Sequence, residues 1–207
     1  NLGYEYIGIC DHSKTSKIAG GLDEDLLKRR NEEIDRVNEK IKGIKVLKGM
    51  EVDILADGSL DYSDKILEEL DFVIAAIHQG FKKNVTERIK RAIENPYVDI
   101  IAHPTGRLLS GREGYEVNID EVIEYASKFN VILEINCYPD RLDLNDVNIL
   151  KAKKKNIKFS LGTDSHNIGM LKYIRFGIGI ARRGWLTKEE ILNTYKWEEM
   201  PLRRRKR

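Results

Sequence analysis

The stretch Phe72-Val-Ile-Ala-Ala-Ile-His78 is apolar throughout and then ends on a histidine. Near-continuous runs of this kind, rich in Ile and Val, are typical of strands that are buried on both faces of a parallel sheet. Related runs complete a set of six predicted strands, at residues 6–10, 46–54, 72–77, 98–102, 131–136 and 159–162. The sequence therefore predicts a parallel sheet as the centre of the fold.

Amphipathic helical patterns separate these strands, at residues 23–41, 63–70, 86–93, 119–129 and 147–152. The capping-box spacing of Thr187 and Glu190 predicts one more helix start, just before Ile191. Alternating strands and helices indicate an α/β architecture. Because no glycine-rich phosphate loop follows the first strand, and nearly every strand ends in a polar group, we expect a barrel rather than a doubly wound sheet.

The composition predicts a globular domain. The 207 residues include 36 Lys and Arg, 34 Asp and Glu, and 41% hydrophobic residues. No run approaches the roughly 20 apolar residues of a membrane helix, so an integral membrane protein is not expected. The two cysteines, Cys10 and Cys137, cannot form a disulfide framework, and no signal peptide is recognised, so a cytoplasmic protein is expected.

The basic residues are unevenly distributed. The last five residues, 203–207, are all basic, and the rest of the chain is mildly acidic. We therefore divide the sequence into a body at residues 1–202 and a basic tail at residues 203–207. The tail is either a frayed, solubilising terminus or a weak contact for nucleic-acid phosphates.

The four histidines of the chain all lie just beyond the carboxyl ends of predicted strands: His12, His78, His103 and His166. A single histidine in such a position is most often an ordinary loop or core residue. A parallel barrel, however, would bring all four to the same face. This shared placement predicts a metal site.

Carboxylates follow the same pattern. Glu51 lies within a strand that should be apolar, where an unpaired carboxylate would be costly to bury. The alternative is an outward-facing residue near the end of the strand, an interpretation that also fits Asp53. Asp164 lies two residues before His166, and Asp11 could orient His12 from outside the ligand set.

The predicted ligand set is mixed imidazole and carboxylate, which suits zinc, manganese or iron. Its members are His12, Glu51, His78, His103, Asp164 and His166. One catalytic zinc uses about three protein ligands, so six candidates predict a multinuclear centre with Glu51 or Asp164 as the bridging carboxylate. Such a centre generates hydroxide near neutral pH and binds phosphate between two metals.

Several motifs together resemble the PHP (polymerase and histidinol phosphatase) superfamily. They are Cys10-Asp-His-Ser, Gly49-Met-Glu-Val-Asp-Ile, Ala76-Ile-His, Ala102-His-Pro and Gly162-Thr-Asp-Ser-His. Further motifs are most similar to the C-terminal PHP domain of bacterial and archaeal family X DNA polymerases: Asp57-Gly-Ser-Leu-Asp-Tyr, His103-Pro-Thr-Gly-Arg, Leu133-Glu-Ile-Asn, Arg141-Leu-Asp-Leu and Ala181-Arg-Arg-Gly-Trp. The resemblance covers nearly the whole chain, from residue 2 to about residue 192.

The resemblance implies a distorted seven-stranded (β/α) barrel with a three-metal centre and metal-dependent phosphoesterase activity. In polymerase-linked members this activity is a 3′–5′ exonuclease acting on DNA 3′ ends, usually with manganese. By the family pattern, His78 and His103 share one metal with Glu51, and Glu51 bridges to a second metal that Asp164 also binds. His12 and His166 hold the third metal. Glu51, His103 and Asp164 are thus the expected catalytic residues.

One part of the family pattern is missing from this sequence. The pattern begins with a strand that ends in His-Xaa-His, and a further histidine follows; the chain has none of them. We therefore expect a barrel lacking its first strand, an N-terminally incomplete PHP domain at residues 1–202, fewer than three bound zinc or manganese ions, and weak or no activity by itself. The exposed barrel edges could pair with another chain or support oligomerisation.

Substrate contacts are predicted more loosely. Arg107 and Arg141 could reach substrate phosphates, or they could stabilise loops through ion pairs. Asn136 ends a strand on the same face and could position the substrate or a ligand. Three functions remain open: a DNA 3′-end phosphoesterase in a protein with an attached polymerase, a small-molecule phosphatase of the histidinol-phosphatase type, and a non-catalytic metal-binding scaffold for a polymerase.

Overall fold

Six parallel strands form one sheet in the part of the chain that the computed structural model describes, residues 3–111 and 113–203. They are β1 (Tyr6–His12), β2 (Lys45–Asp53), β3 (Phe72–Ala76), β4 (Ile100–Ile101), β5 (Ile132–Asn136) and β6 (Phe159–Gly162). Each strand pairs with the next one in the sequence. The sheet curls into half a barrel, which confirms the predicted α/β, barrel-like fold.

Each strand is followed by a helix, and the amphipathic patterns predict all of these helices except the last. They are α1 (Glu24–Lys40), α2 (Asp64–Glu68), α3 (Val85–Glu94), α4 (Ile119–Phe129), α5 (Asp146–Lys153) and α6 (Ile174–Arg183). Short 3₁₀ segments lie at Lys17–Ala19, Ile168–Tyr173, Lys188–Glu190, Leu192–Thr194 and Trp197–Glu199. Several helices begin at side-chain caps: Asp23 accepts the N–H of Leu26 before α1, and Asn145 accepts that of Asn148 before α5.

The largest hydrophobic cluster joins the middle of the sheet to the helices that cover it. Leu133 and Ile135 of β5 and Phe159 of β6 are completely buried there. A second cluster surrounds Met50 and Val52 of β2. Because the strands are held on both sides by these apolar contacts, their carboxyl ends form a well-defined edge of the sheet.

The segment around Thr187 differs from the prediction. The capping box is present, since the side chain of Glu190 accepts the N–H of Thr187 at 2.7 Å and its hydroxyl at 2.8 Å. The 3₁₀ turn that it begins ends at Glu190, however, because Ile191 adopts an extended conformation and forms a bridge with Phe159 at the start of β6. Pairing with the sheet therefore overrides the local helix signal.

Helix α6 was not predicted, because Gly177 and Gly179 lower its helix propensity. Gly177 is required by the packing of the helix, since a Cβ at this position would overlap with Sγ of Cys137. The helix thus approaches β5 closely at the point where it lacks a side chain.

The predicted basic tail lies only partly within the described residues. Arg203, the first residue of the predicted tail, donates to the carbonyl oxygens of Ile93 and Asn95 at 2.8 and 3.0 Å. The other tail residues, 204–207, lie outside the described residues. Among the helices of the described ranges, none is both long and apolar enough to span a bilayer.

Candidate metal centre

The predicted ligands follow the carboxyl ends of the strands. His12 is the last residue of β1 and is in register with Glu51 of β2. His78 and His103 lie two residues beyond β3 and β4, and Asp164 lies two residues beyond β6. Parallel strands of one sheet therefore bring these side chains to the same edge.

Glu51 is the residue around which the histidines gather. Its Oε1 lies 3.1 Å from Nε2 of His103 and 3.3 Å from Nε2 of His78. Its Oε2 lies 3.7 Å from Nδ1 of His12. The ring of His78 is 4.9 Å from that of His12 and 5.4 Å from that of His103, measured between centroids. We refer to His12, Glu51, His78 and His103 as the Glu51 group.

Three members of this group, His12, Glu51 and His78, offer donor atoms that fit a divalent cation. One ligand atom each from His12, Glu51 and His78 can be chosen so that all three lie within 4.8 Å of one another. Nδ1 of His12 is buried and has no hydrogen-bond partner among the described residues. A buried nitrogen without a partner is costly, and a cation would satisfy it. Imidazole and carboxylate donors of this kind suit zinc and related metals.

The charges within the group reinforce one another. Burial alone would raise the pKa of Glu51, but hydrogen bonds with His103 and His78 hold it well below its ordinary value. Burial alone would lower the pKa of His78, but its bonds to Asp53 and Glu51 raise it to about 9. In the metal-free chain, Glu51 is therefore a carboxylate next to a positively charged imidazole.

Asp53 is buried, with 4% of its surface exposed, and contacts Nδ1 of His78 through Oδ1. The interpretation of Asp53 as an outward-facing residue is therefore wrong, because its side chain points to the same face of β2 as that of Glu51. Asp11, which could have oriented His12, instead lies 3.3 Å from Nε of Arg30. The sequence signal that was available for Asp53 is its two-residue spacing from Glu51.

All but one of the remaining predicted site residues form a second cluster. Nδ2 of Asn136 donates to Oδ2 of Asp164 at 3.2 Å, and Nε of Arg141 lies 3.6 Å from the same oxygen. The side chain of His166 is 67% exposed, and its Nδ1 lies 2.9 Å from the carbonyl oxygen of Asp164. We refer to Asn136, Arg141, Asp164 and His166 as the Asp164 group.

Arg107 faces the loop that contains Arg141. Its Nε donates to the carbonyl oxygen of Arg141 at 2.9 Å, and its Nη2 donates to that of Leu142. These contacts favour the loop-stabilising alternative for Arg107. By contrast, Nη1 of Arg141 is buried without a hydrogen-bond partner among the described residues.

Glu134 of β5 is a site residue that the sequence reasoning missed. It is 6% exposed, and its Oε2 accepts the backbone N–H of His103 at 2.7 Å. Burial, together with the nearby charges of Glu51 and Asp164, raises its pKa well above the ordinary value. Gly162 of β6 leaves room for this carboxylate, because a Cβ there would overlap with Oε1. A glutamate within an apolar strand, the signal used for Glu51, could have identified it.

His103 has a backbone φ of 26°, and Asp164 has a φ of 50°. Residues other than glycine are uncommon in this region, and they persist only when the surroundings hold them there. The bond from Glu134 holds the backbone of His103, and the bond from Asn136 holds the side chain of Asp164. Both groups thus depend on polar residues of β5.

Comparisons with known proteins bear on the family and the fold of this chain. A comparison with models of known protein families gives no match. The chain is 45% identical over 194 residues to the DNA polymerase/3′-5′ exonuclease PolX of Bacillus subtilis (strain 168), an alignment that covers 92% of this chain and 34% of that protein. The chain therefore spans about a third of the length of this relative.

A shorter relative is covered more completely. A probable phosphatase of Clostridium botulinum (strain Langeland) is 31% identical over 179 residues, which is 80% of this chain and 68% of that protein. Among solved structures, histidinol phosphate phosphatase from Lactococcus lactis, complexed with zinc, L-histidinol and phosphate, matches with a TM-score of 0.58 and 14% identity. That match covers 89% of this chain and 84% of the other, and it supports the fold.

The predicted hydrolase class agrees with the names of these relatives, which are phosphatases and an exonuclease. The sequence motifs, the barrel-like sheet and the similarity to these proteins lead to the same assignment. The chain belongs to the PHP (polymerase and histidinol phosphatase) superfamily.

Proposed function

We propose that this chain is a metal-dependent phosphoesterase that hydrolyses phosphodiesters or phosphomonoesters at DNA 3′ ends, as a 3′–5′ exonuclease does. The observation that carries the proposal is the contact of one half-buried carboxylate, Glu51, with the imidazoles of His78 and His103 at the carboxyl edge of the sheet. A cluster of this composition suits a hydrolytic metal better than a structural role, because structural zinc sites are usually closed by four cysteine and histidine ligands.

The Glu51 group would hold the first divalent ion, and Asp164 and His166 would contribute to further ions. A bound zinc or manganese ion would lower the pKa of water to near neutrality and neutralise charge on a phosphate. Zinc is favoured by the metal named for the Lactococcus lactis phosphatase, and manganese by the family resemblance. Glu51, His103 and Asp164 are the proposed catalytic residues, because they would surround the reacting phosphate.

The residues of the Asp164 group have a second proposed role in binding the substrate. Arg141 keeps a buried Nη1 donor without a partner among the described residues, and this donor could bind a phosphate oxygen. Asn136 would keep the carboxylate of Asp164 in place while the substrate is bound. Arg107, whose Nε and Nη2 already donate to loop carbonyls, would support Arg141 rather than contact the substrate.

DNA as substrate and a polymerase as partner are proposed from the similarity to the Bacillus subtilis protein. Action in DNA repair would follow from that setting. Residues 1–202 are proposed as the catalytic unit, and a cytoplasmic location and association through the barrel edges remain predictions. Small phosphate esters are the competing substrates, because the Clostridium botulinum relative is named a probable phosphatase.

The proposal is tested with the 207-residue chain, stripped of metal by a chelator and reloaded with zinc or with manganese. A DNA primer labelled at its 5′ end and p-nitrophenyl phosphate serve as the two substrates. We expect weak, metal-dependent shortening of the primer from its 3′ end, because the sequence lacks the His-Xaa-His ligands of the family pattern, and loss of that activity in His103→Ala. Asp35→Asn is the matched control, because Asp35 lies at the surface and pairs with Lys48.

The outcomes separate the three functions. Hydrolysis of the small ester alone would support a small-molecule phosphatase. Tight metal binding without even weak hydrolysis of either substrate would support a non-catalytic scaffold. Equal activity in His103→Ala and in the parent chain would contradict the proposed centre.

A further inference from the structure

Asp53 is a buried carboxylate whose partners come from two separate parts of the chain. Its Oδ1 contacts Nδ1 of His78, beyond β3. Its Oδ2 accepts the hydroxyl of Thr15 at 2.5 Å and the hydroxyl of Ser16 at 2.9 Å, both from the loop that follows β1. One carboxylate thus joins a predicted metal ligand to a loop of another β/α unit.

The contact with Asp53 determines which nitrogen of His78 faces the Glu51 group. A carboxylate accepts hydrogen bonds, so Nδ1 of His78 carries a proton and donates. The other nitrogen, Nε2, lies 3.3 Å from Oε1 of Glu51. Histidines that bind metals commonly donate their second ring N–H to a carboxylate, which fixes both the tautomer and the orientation of the ring.

The loop that reaches Asp53, residues 13–22, is itself tied to the sheet. The N–H of Leu22 donates to the carbonyl oxygen of His12 at 2.8 Å and closes the base of the loop. Oγ of Ser13, a completely buried residue, accepts the N–H of Asp53 at 2.9 Å. Farther along, the N–H of Thr15 donates to Oδ2 of Asp61, another buried carboxylate, at 2.8 Å.

We infer that Asp53 is a positioning residue, through which loop 13–22 holds the ring of His78 in the orientation that presents Nε2 to the metal. The inference rests on the proposed metal centre, but its physical content is the linkage from Thr15 and Ser16 through Asp53 to the imidazole. Because the same loop begins directly after His12, one loop would position ligands at the carboxyl ends of both β1 and β3.

The test combines zinc affinity with a signal from the imidazole itself. Zinc affinity of the chelator-stripped chain is measured by competition with a chromophoric chelator. Asp53→Asn should weaken it by about 10–100-fold, the usual effect of removing such a partner. The double variant Thr15→Val, Ser16→Ala should weaken it by about 10-fold, because Asp53 remains but loses two hydrogen bonds. Asp57→Asn is the matched control, since its exposed carboxylate bonds to Ser59.

The NMR resonance of the Nδ1 proton of His78 gives a second test. This resonance would not depend on Asp53 if Asp53 had only a structural role. In the proton NMR spectrum of the metal-free chain, this proton should be shifted downfield and protected from solvent exchange. Asp53→Asn should abolish the protected resonance, and the loop double variant should increase its exchange rate. Asp57→Asn should leave the resonance unchanged.

The results distinguish this inference from the proposed function. A parent chain that binds no zinc, but whose protected resonance depends on Thr15 and Ser16, would overturn the metal centre and support the linkage. A parent chain that binds zinc, with unchanged affinity and resonance in the loop double variant, would overturn the linkage alone. If Asp53→Asn fails to fold, the loop double variant decides, because its substitutions are only half-buried.

Discussion

The Glu51 group and the Asp164 group lie along the same edge of the sheet but are held in different ways. In the Glu51 group, His12 and Glu51 are in register on paired strands, and His103 is 2% exposed. In the Asp164 group, Asn136 ends β5, whereas Asp164 and His166 follow β6 in a loop, and the side chain of His166 is 67% exposed. The comparison teaches that strand register and buried hydrogen bonds shape the first group, whereas a loop conformation shapes the second.

The largest expected difference between the groups is in metal affinity. Glu51→Gln should lower the affinity of the chain for its first zinc ion by about 100-fold or more, because Glu51 contacts three imidazoles and supplies the negative charge. Asp164→Asn should leave that affinity nearly unchanged. Calorimetric titration of the metal-free chain measures both. Similar losses in the two variants would show that the groups act as one site.

The two groups should also differ in how pH affects stability without metal. Hydrogen bonds to Asp53 and Glu51 outweigh burial and raise the pKa of His78 from 6.5 to about 9. A raised pKa in the folded state stabilises the protonated form, so this contribution is complete below pH 6.5 and is lost as the pH rises through about 9. We expect the free energy of unfolding to fall by on the order of 1–3 kcal/mol across this window.

Urea unfolding of the metal-free chain at several pH values measures that fall. His78→Gln should remove most of the pH dependence in this window, and His166→Gln should leave it in place. A parent curve that is flat between pH 6.5 and 9 would mean that His78 is not paired as described.

Packing beneath the Asp164 group can be probed on α6. Gly177→Ala should destabilise the chain by about 1–3 kcal/mol, because its Cβ would overlap with Sγ of the buried Cys137. Gly179→Ala is the matched control on the same helix, since a Cβ there meets no atom within 4 Å. The control should stabilise the chain by about 0.5–1 kcal/mol through higher helix propensity. Thermal unfolding of both variants measures these changes in stability. If α6 shifts to make room for the new methyl group, the loss of stability in Gly177→Ala will be smaller than expected.

The smallest expected effects come from the helix caps, and here the two halves of the sheet should behave alike. Asp23→Ala removes the cap of α1, on the side of the Glu51 group, and Asn145→Ala removes that of α5, on the other side. Each should cost about 1 kcal/mol of stability. A much larger loss of stability in Asn145→Ala would indicate that the Asp164 group depends on the stability of its neighbouring helices rather than on the conformation of its loop.

The sequence was most informative where side chains belong to strands. The histidines could be placed because each follows an apolar strand, and Glu51 could be found because a carboxylate in such a strand needs a partner. Glu134 gave the same signal and was missed as a site residue. The inward direction of Asp53 was also missed, since the spacing of two residues fixes only that it shares a face with Glu51.

Features that depend on loops and tertiary packing were not accessible in the same way. The exposed position of His166 depends on the conformation of the turn after β6, including the positive φ of Asp164. Helix α6 depends on close contact with β5. Its glycines permit this contact, but their presence in the sequence does not predict it. The extended path at Ile191 depends on pairing with Phe159, a contact between residues far apart in the sequence.

The absence of a side chain at position 162 limits which substitutions the protein can accept during evolution. Oε1 of Glu134 occupies the space that a Cβ at position 162 would need, so a larger residue at 162 requires this carboxylate to move or to be replaced. Replacing Gly162 by alanine should be tolerated only together with a shorter residue at 134, and the two positions are therefore expected to covary among descendants of a common ancestor.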